Sequence, residues 1–204
     1  MSTAATNITT IKTPNPQGKG LSTTLSDWQY FSPQQHQDRP AERLFADYFT
    51  STLVLSAEFG FKPVINQQYY LYHQNQQWTL SLIEPERWQQ KAPGICLGQC
   101  QLHPDMTWSI TPDMASFEDH GLQQSISDFS QQLHQHIKQN AATEQLLPFY
   151  AEQLPYYRRM AASGLARSIS ASTNYAARLQ DIASSSPQPL AFITSLTHTT
   201  PIKK

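Results

Sequence analysis

A chain of 204 residues is long enough for one complete core, so a single domain is the starting expectation. A formal net charge of −1, with only 14% charged residues, speaks against the large basic excess of a non-specific nucleic-acid binder. No apolar run is long enough to span a bilayer, and the opening MSTAATNITTIKT lacks a basic start followed by an apolar segment, so a soluble cytoplasmic protein is expected.

Residues 1–25 are rich in threonine, serine and proline, and residues 1–14 read as a disordered tail. Gly18-Lys19-Gly20 has the look of a phosphate loop but fails its pattern: no Ser or Thr follows the lysine and no strand precedes it. An anion-binding nest and a flexible arm docking Leu21, Leu25 and Trp28 are the readings left open. Asp38-Arg39-Pro40 starts a helix expected to run to about Glu58. Leu44, Phe45, Tyr48, Phe49, Thr52, Leu53 and Leu55 recur on one side at three- and four-residue spacing, an apolar face for the core. Gly60 and Pro63 read as its stop, with glycine in a left-handed cap.

The middle, Gln68–Ile110, carries Trp78, Trp88 and Trp108, three of the four tryptophans. Gln68–Gln74 is a tyrosine-rich strand with Tyr70 and Tyr72 facing one way and Tyr69, Leu71 and His73 the other. A polar loop over residues 75–77 precedes a second strand in which Trp78, Leu80 and Leu82 point to the core. Pro85 ends that strand and opens one helical turn that folds Trp88 back onto the sheet. Ile95–Leu102 and Met106–Ile110 are the third and fourth strands, joined at His103-Pro104-Asp105. Short loops favour a meander in the order 1-2-3-4. Cys96 and Cys100 on the third strand read as reduced thiols on one side, roughly 13 Å apart in an extended chain and too far for a disulfide. Without third and fourth ligands they make no zinc site, and no cofactor or metal is expected.

Residues 113–121 are irregular, and Leu122–Gln139 forms a helix with Ile126, Phe129, Leu133 and Ile137 along one side. His134 and His136 are two apart, which on a helix separates them by about 200° and prevents joint metal chelation. Pro148–Gln153 reads as a short helix, and Pro155 opens a longer one to about Ala183, in which Gly164 costs roughly 1 kcal/mol relative to Ala. Arg159, Arg167 and Arg178 share a polar stripe on it with Ser163, Ser170 and Asn174; a solvated face is its ordinary meaning. The domain is expected over residues 15–184, with a mobile tail from 185 to 204. The fold class is α+β: a small antiparallel β-meander of about four strands packed against an N-terminal helix and C-terminal helices.

Several ordered runs carry a family resemblance. Phe61-Lys62-Pro63-Val64, Tyr70-Leu71-Tyr72, Leu80-Ser81-Leu82-Ile83 with Pro85 and Trp88, and Leu102 with Asp105, Thr107 and Trp108 resemble the signature of domain of unknown function family 2452. Asn15-Pro16-Gln17-Gly18-Lys19-Gly20-Leu21 is similar to the opening of its bacterial members. The similarity covers about residues 15–165. It implies a helix followed by a small sheet, and it carries over no activity, cofactor or catalytic residue.

Function is therefore read from residue types. The excess of aromatics over acid–base pairs favours a non-catalytic module binding a protein or small ligand through the sheet, with Tyr70, Tyr72, Arg87, Trp88, His103 and Asp105 as candidate binding residues. An enzyme using Glu84, Glu86, His103 and Asp105 in strand-connecting loops is the first alternative. A weak phosphate or nucleic-acid binder using the arginine stripe is the second.

Overall fold

The computed structural model describes residues 19–34, 41–88, 92–139 and 154–171. The chain divides into two compact units, Met1–Tyr30 and Phe31–Lys204. The first contains α1, Lys19–Tyr30, where the sequence had been read as a flexible arm. Leu25 and Trp28, spaced to share a face with position 21, are 54% and 48% exposed.

The second unit is α+β: four antiparallel strands in one sheet with three helices, in a single fold class with the expected one. After α2 (Ala41–Ser56) come β1 (Gln68–Gln74), β2 (Gln77–Ser81), β3 (Ile95–Leu102) and β4 (Trp108–Pro112). Helices α3 (His120–Gln139) and α4 (Tyr156–Ser170) follow. The proposed start at residues 38–40, the short helix at 148–153, and the tails 1–14 and 185–204 lie outside the described residues, as does the extension of α4 towards residue 183.

The strand order is β2-β1-β3-β4, which corrects the simple 1-2-3-4 meander. The β1–β2 hairpin closes through Asn75 and Gln76, both at positive φ (51° and 61°), the two-residue turn whose twist suits a hairpin. β3 then pairs with the other side of β1, so β2 and β3 run parallel to each other. The chain leaves β2 opposite Tyr70 and must start β3 opposite His73. A parallel return of this kind has to travel back along the sheet. Residues 82–88 begin that return over the side of β1 that carries Tyr70 and Tyr72. This is the physical reason the meander failed: a tight loop cannot make a parallel return.

Register assigns the two faces. Tyr69, Leu71, His73, Trp78, Leu80, Cys100, Leu102 and Trp108 share the inner one and are buried. On the outer side lie Tyr70, Ser81, Gln99, Gln101, Ser109 and Thr111, all at least partly exposed. β2 ends at Ser81, so Leu82 stands 54% exposed instead of joining the core. A bulge shifts the register between Leu71, opposite Gly98, and Tyr72, opposite Cys96. It places Cys96 with Tyr72 and Cys100 with Tyr69, on opposite faces, and corrects the expectation that both thiols share a side. Gly98 is required there, because a Cβ would sit 2.3 Å from the Thr111 carbonyl oxygen.

Helix α2 departs furthest from the pattern. Residues 44–55 are buried without exception, so the helix is covered all round rather than on one face. Its polar residues make this possible by tying down neighbouring backbone. Thr50 Oγ1 donates to the Trp108 carbonyl at 2.9 Å, and the Trp108 amide donates to Ser51 Oγ at 2.8 Å. Those groups lie on edge strand β4, which is thereby capped by a helix. The opposite edge, β2, is capped by Glu58, whose backbone bridges Thr79: Glu58 N–H to the Trp78 carbonyl at 2.8 Å, and Leu80 N–H to the Glu58 carbonyl at 3.0 Å. Gly60 has no positive φ, so the helix ends without the left-handed glycine cap. Among the described residues, no helix is long and apolar enough to cross a membrane.

Candidate ligand cleft

Four of the six residues singled out on the sheet meet beneath the β2–β3 return. Tyr72 Oη donates to the Ile83 carbonyl at 2.8 Å and accepts from Trp88 Nε1 at 3.0 Å, with the two rings edge to face at 6.1 Å. Tyr70 Oη donates to Glu84 Oε2 at 3.4 Å, and Arg87 Nε donates to Glu84 Oε1. Burial pushes the Tyr72 hydroxyl up to about 12 and the Cys96 thiol beside it up to about 11. Burial and then Glu84 raise Tyr70. These groups satisfy one another and pin the return to the sheet. Of the tyrosine and tryptophan rings of the middle, Tyr69, Tyr72, Trp78 and Trp108 are buried, and Tyr70 and Trp88 are partly covered, which weakens the case for binding through exposed aromatics of the sheet.

His103 and Asp105 form a separate turn. Asp105 Oδ1 accepts from the Thr107 amide at 3.1 Å and from Thr107 Oγ1 at 2.7 Å, while His103 Nε2 meets Ser109 Oγ at 2.8 Å. Along β3, His103 lies four residues beyond Gln99, the partner of Tyr70, which is about 13 Å of strand. Arg167 is also committed: Nη2 donates to the Phe31 carbonyl at 3.0 Å and Nη1 to Ser32 Oγ at 2.9 Å. Arg159 is exposed, and Asn174 and Arg178 lie outside the described residues.

Among the described residues, a hollow lies elsewhere in this unit. A cleft of about 640 Å³ opens between the end of α2, the β1–β2 turn, the middle of α3 and the start of α4. Trp78, Phe129 and Leu133 supply its apolar wall. Each is positioned by the core: Trp78 packs against His73 at 4.5 Å, and Phe129 meets Phe49 edge to face at 5.6 Å. Glu58 comes from the segment capping β2, Gln76 and Gln77 from the hairpin turn, and Asp128, Gln132 and His136 from the outer side of α3. An adjoining hollow of about 470 Å³, walled by Phe59, Phe61 and Pro155, shares Glu58 and Arg158 with it.

Arg158 is the group at the junction. Its Nη2 donates to the Leu55 and Ser56 carbonyls, both at 3.2 Å, and so caps the C-terminus of α2. The guanidinium lies over the Phe59 ring at 6.0 Å. Nε is buried with no hydrogen-bond partner. Burial lowers its pKa and the Glu58 charge opposes that shift, which still leaves an arginine fully protonated. Neither Arg158 nor Glu58 was singled out from the sequence. A signal was present: Arg158, Ala162, Leu165 and Ile169 fall on one stripe of α4, and all but the arginine are small or apolar and buried. A lone charge on a buried stripe must have a compensating role.

No protein-family model, curated protein or solved structure matches this chain. Among the described residues, no group of three His, Cys, Asp or Glu side chains is placed to hold a metal ion.

Proposed function

We propose that the protein is a non-catalytic binding module whose ligand, a small molecule, occupies the cleft at Arg158. The observation that carries this reading is a hollow of about 640 Å³ with Trp78, Phe129 and Leu133 on one wall and polar side chains, Arg158 among them, on the others. The volume falls within the range of small-molecule sites, and polar groups converge on aromatic walls, the usual makeup of such a site. The sheet contributes through Trp78 rather than through Tyr70, Tyr72 and Trp88, whose polar atoms already serve the β2–β3 return.

The acid–base alternative has less support, since Glu84 is engaged by Tyr70 and Arg87 and Asp105 by Thr107. On the ordered runs quoted above we also read the chain as a relative of domain of unknown function family 2452, a kinship that adds no activity. The test is a small-molecule library screened by NMR. Expected are ligands that shift the Trp78 indole and the Leu133 methyls. Ligands that move only Tyr70 and Trp88, or none that move any of these, would defeat the reading.

A further inference from the structure

We infer that the cleft takes a neutral, polyhydroxylated molecule of the sugar class, an inference that rests on the ligand reading just given. Several polar side chains at the cleft make no hydrogen bond to another described residue. Glu58, Gln76, Gln77 and Gln132 line the cleft, and no hydrogen bond from their side chains to another described residue is present. Asp128 uses Oδ1 to accept from Gln124, which leaves Oδ2. Arg158 adds Nη1, which is not among its bonded atoms.

Three amides and a guanidinium donate; two carboxylates and three amide carbonyls accept. Each amide brings a donor and an acceptor on one side chain, so the hollow is lined by both kinds of group. A hydroxyl is the ligand group that donates and accepts at a single atom, so a ring bearing several of them matches such a wall best.

Charge narrows the class further. Two carboxylates line the cleft with one guanidinium and the His136 imidazole, so a phosphate ester or polycarboxylate, which brings further negative charge beside Glu58 and Asp128, fits less well than a neutral ligand. An apolar ligand would strand the amides and carboxylates without water, at about 1–3 kcal/mol for each buried group. The Trp78, Phe129 and Leu133 wall offers a place for the C–H face of a ring, while hydroxyls at its rim reach the polar side chains. The adjoining hollow at Phe59 and Phe61 shares Glu58 and Arg158 with the cleft, so a second ring linked to the first has somewhere to extend.

The experiment uses the full chain, titrated by saturation-transfer NMR and calorimetry with three sets of probes. These are neutral sugars (glucose, maltose, cellobiose and diacetylchitobiose), glucose 6-phosphate as the anion, and indole as the apolar probe. Expected is saturable binding of at least one neutral sugar at a Kd of about 1 mM or tighter. Gln77→Ala and Gln132→Ala should each weaken it about tenfold, with the melting temperature unchanged, because both side chains are exposed.

Binding of glucose 6-phosphate or indole at Trp78 in preference to every neutral sugar would overturn the sugar class and leave the ligand cleft standing. Sugar binding indifferent to both substitutions would overturn it too, by placing the sugar elsewhere. Failure of every probe, together with a blank library screen, would remove both the sugar class and the cleft.

Discussion

Gly164 shows how far a residue's meaning depends on what lies against it. By helix propensity alone, alanine there would stabilise α4 by about 1 kcal/mol. In the folded chain an added Cβ would lie 2.4 Å from the Phe31 carbonyl oxygen and 3.0 Å from Met106 Cγ. Overpacking against backbone costs about 1–3 kcal/mol and outweighs the propensity gain. Gly164→Ala is therefore expected to lower the urea midpoint, and an unchanged or higher midpoint would refute the close approach. His73 makes a second case. Its Nε2 is buried without a partner beside Trp78, and burial lowers its pKa from 6.5 while Asp119 opposes the shift. Below 6.5 the unfolded chain takes up a proton that the folded chain resists, so this contribution to stability is complete above that pH and declines as pH falls beneath it. Denaturation at pH 7.5 and pH 5 should show the drop, and His73→Phe should make it smaller. Neither residue's role could be read from spacing: the sequence places Gly164 within a helix and His73 on the inner face, while Phe31 and Met106 reach Gly164, and Asp119 acts on His73, from distant parts of the chain.

At the scale of elements, long periodic segments were legible and connections were not. Strands β1 and β3 run as read, and α3 begins two residues earlier than expected. Alternation of Tyr69, Leu71 and His73 on one face is a two-residue period that any sheet must respect. Strand order is not periodic: it follows from where the return after Ser81 goes, and Tyr72 and Trp88 hold that return by a hydrogen bond formed only after folding. The all-round burial of α2 was likewise hidden, because Thr50 and Ser51 stand outside the apolar face that spacing picks out, and only β4 gives their hydroxyls partners. Ser51→Ala would leave the Trp108 amide unpaired in the core, an expected loss of about 1–3 kcal/mol. Ser56→Ala removes only a bond to the Leu53 carbonyl within the same helix, and about 0.5 kcal/mol or less is expected. Equal losses in chemical denaturation of the two variants would contradict the edge-capping role. The runs that carry the family resemblance sit in this framework: Phe61 stacks on Tyr69 at 5.3 Å, Tyr69 Oη accepts from the Val64 amide at 2.7 Å, and Asp105 holds Thr107. They are accounted for by packing and turns, without any need of chemistry.

Across the second unit, Arg158 joins α4 to the end of α2 and also borders the cleft, so stability and binding meet in one side chain. Arg158→Gln should lower the melting temperature, since the Leu55 and Ser56 carbonyls lose a charged donor worth about 1.5–3 kcal/mol. Hydrogen exchange should quicken over residues 56–59 in the same variant, whereas exchange unchanged there would deny the link. Composition and period by themselves determined the α+β class, the four strands and the apolar faces of the helices, because these depend on which residue types repeat at two or at three to four positions. The β2-β1-β3-β4 order, the opposed thiols and the cleft were decided only by tertiary structure. Each depends on which backbone groups and side chains from distant segments come to share a neighbour, and local periodicity holds no record of that.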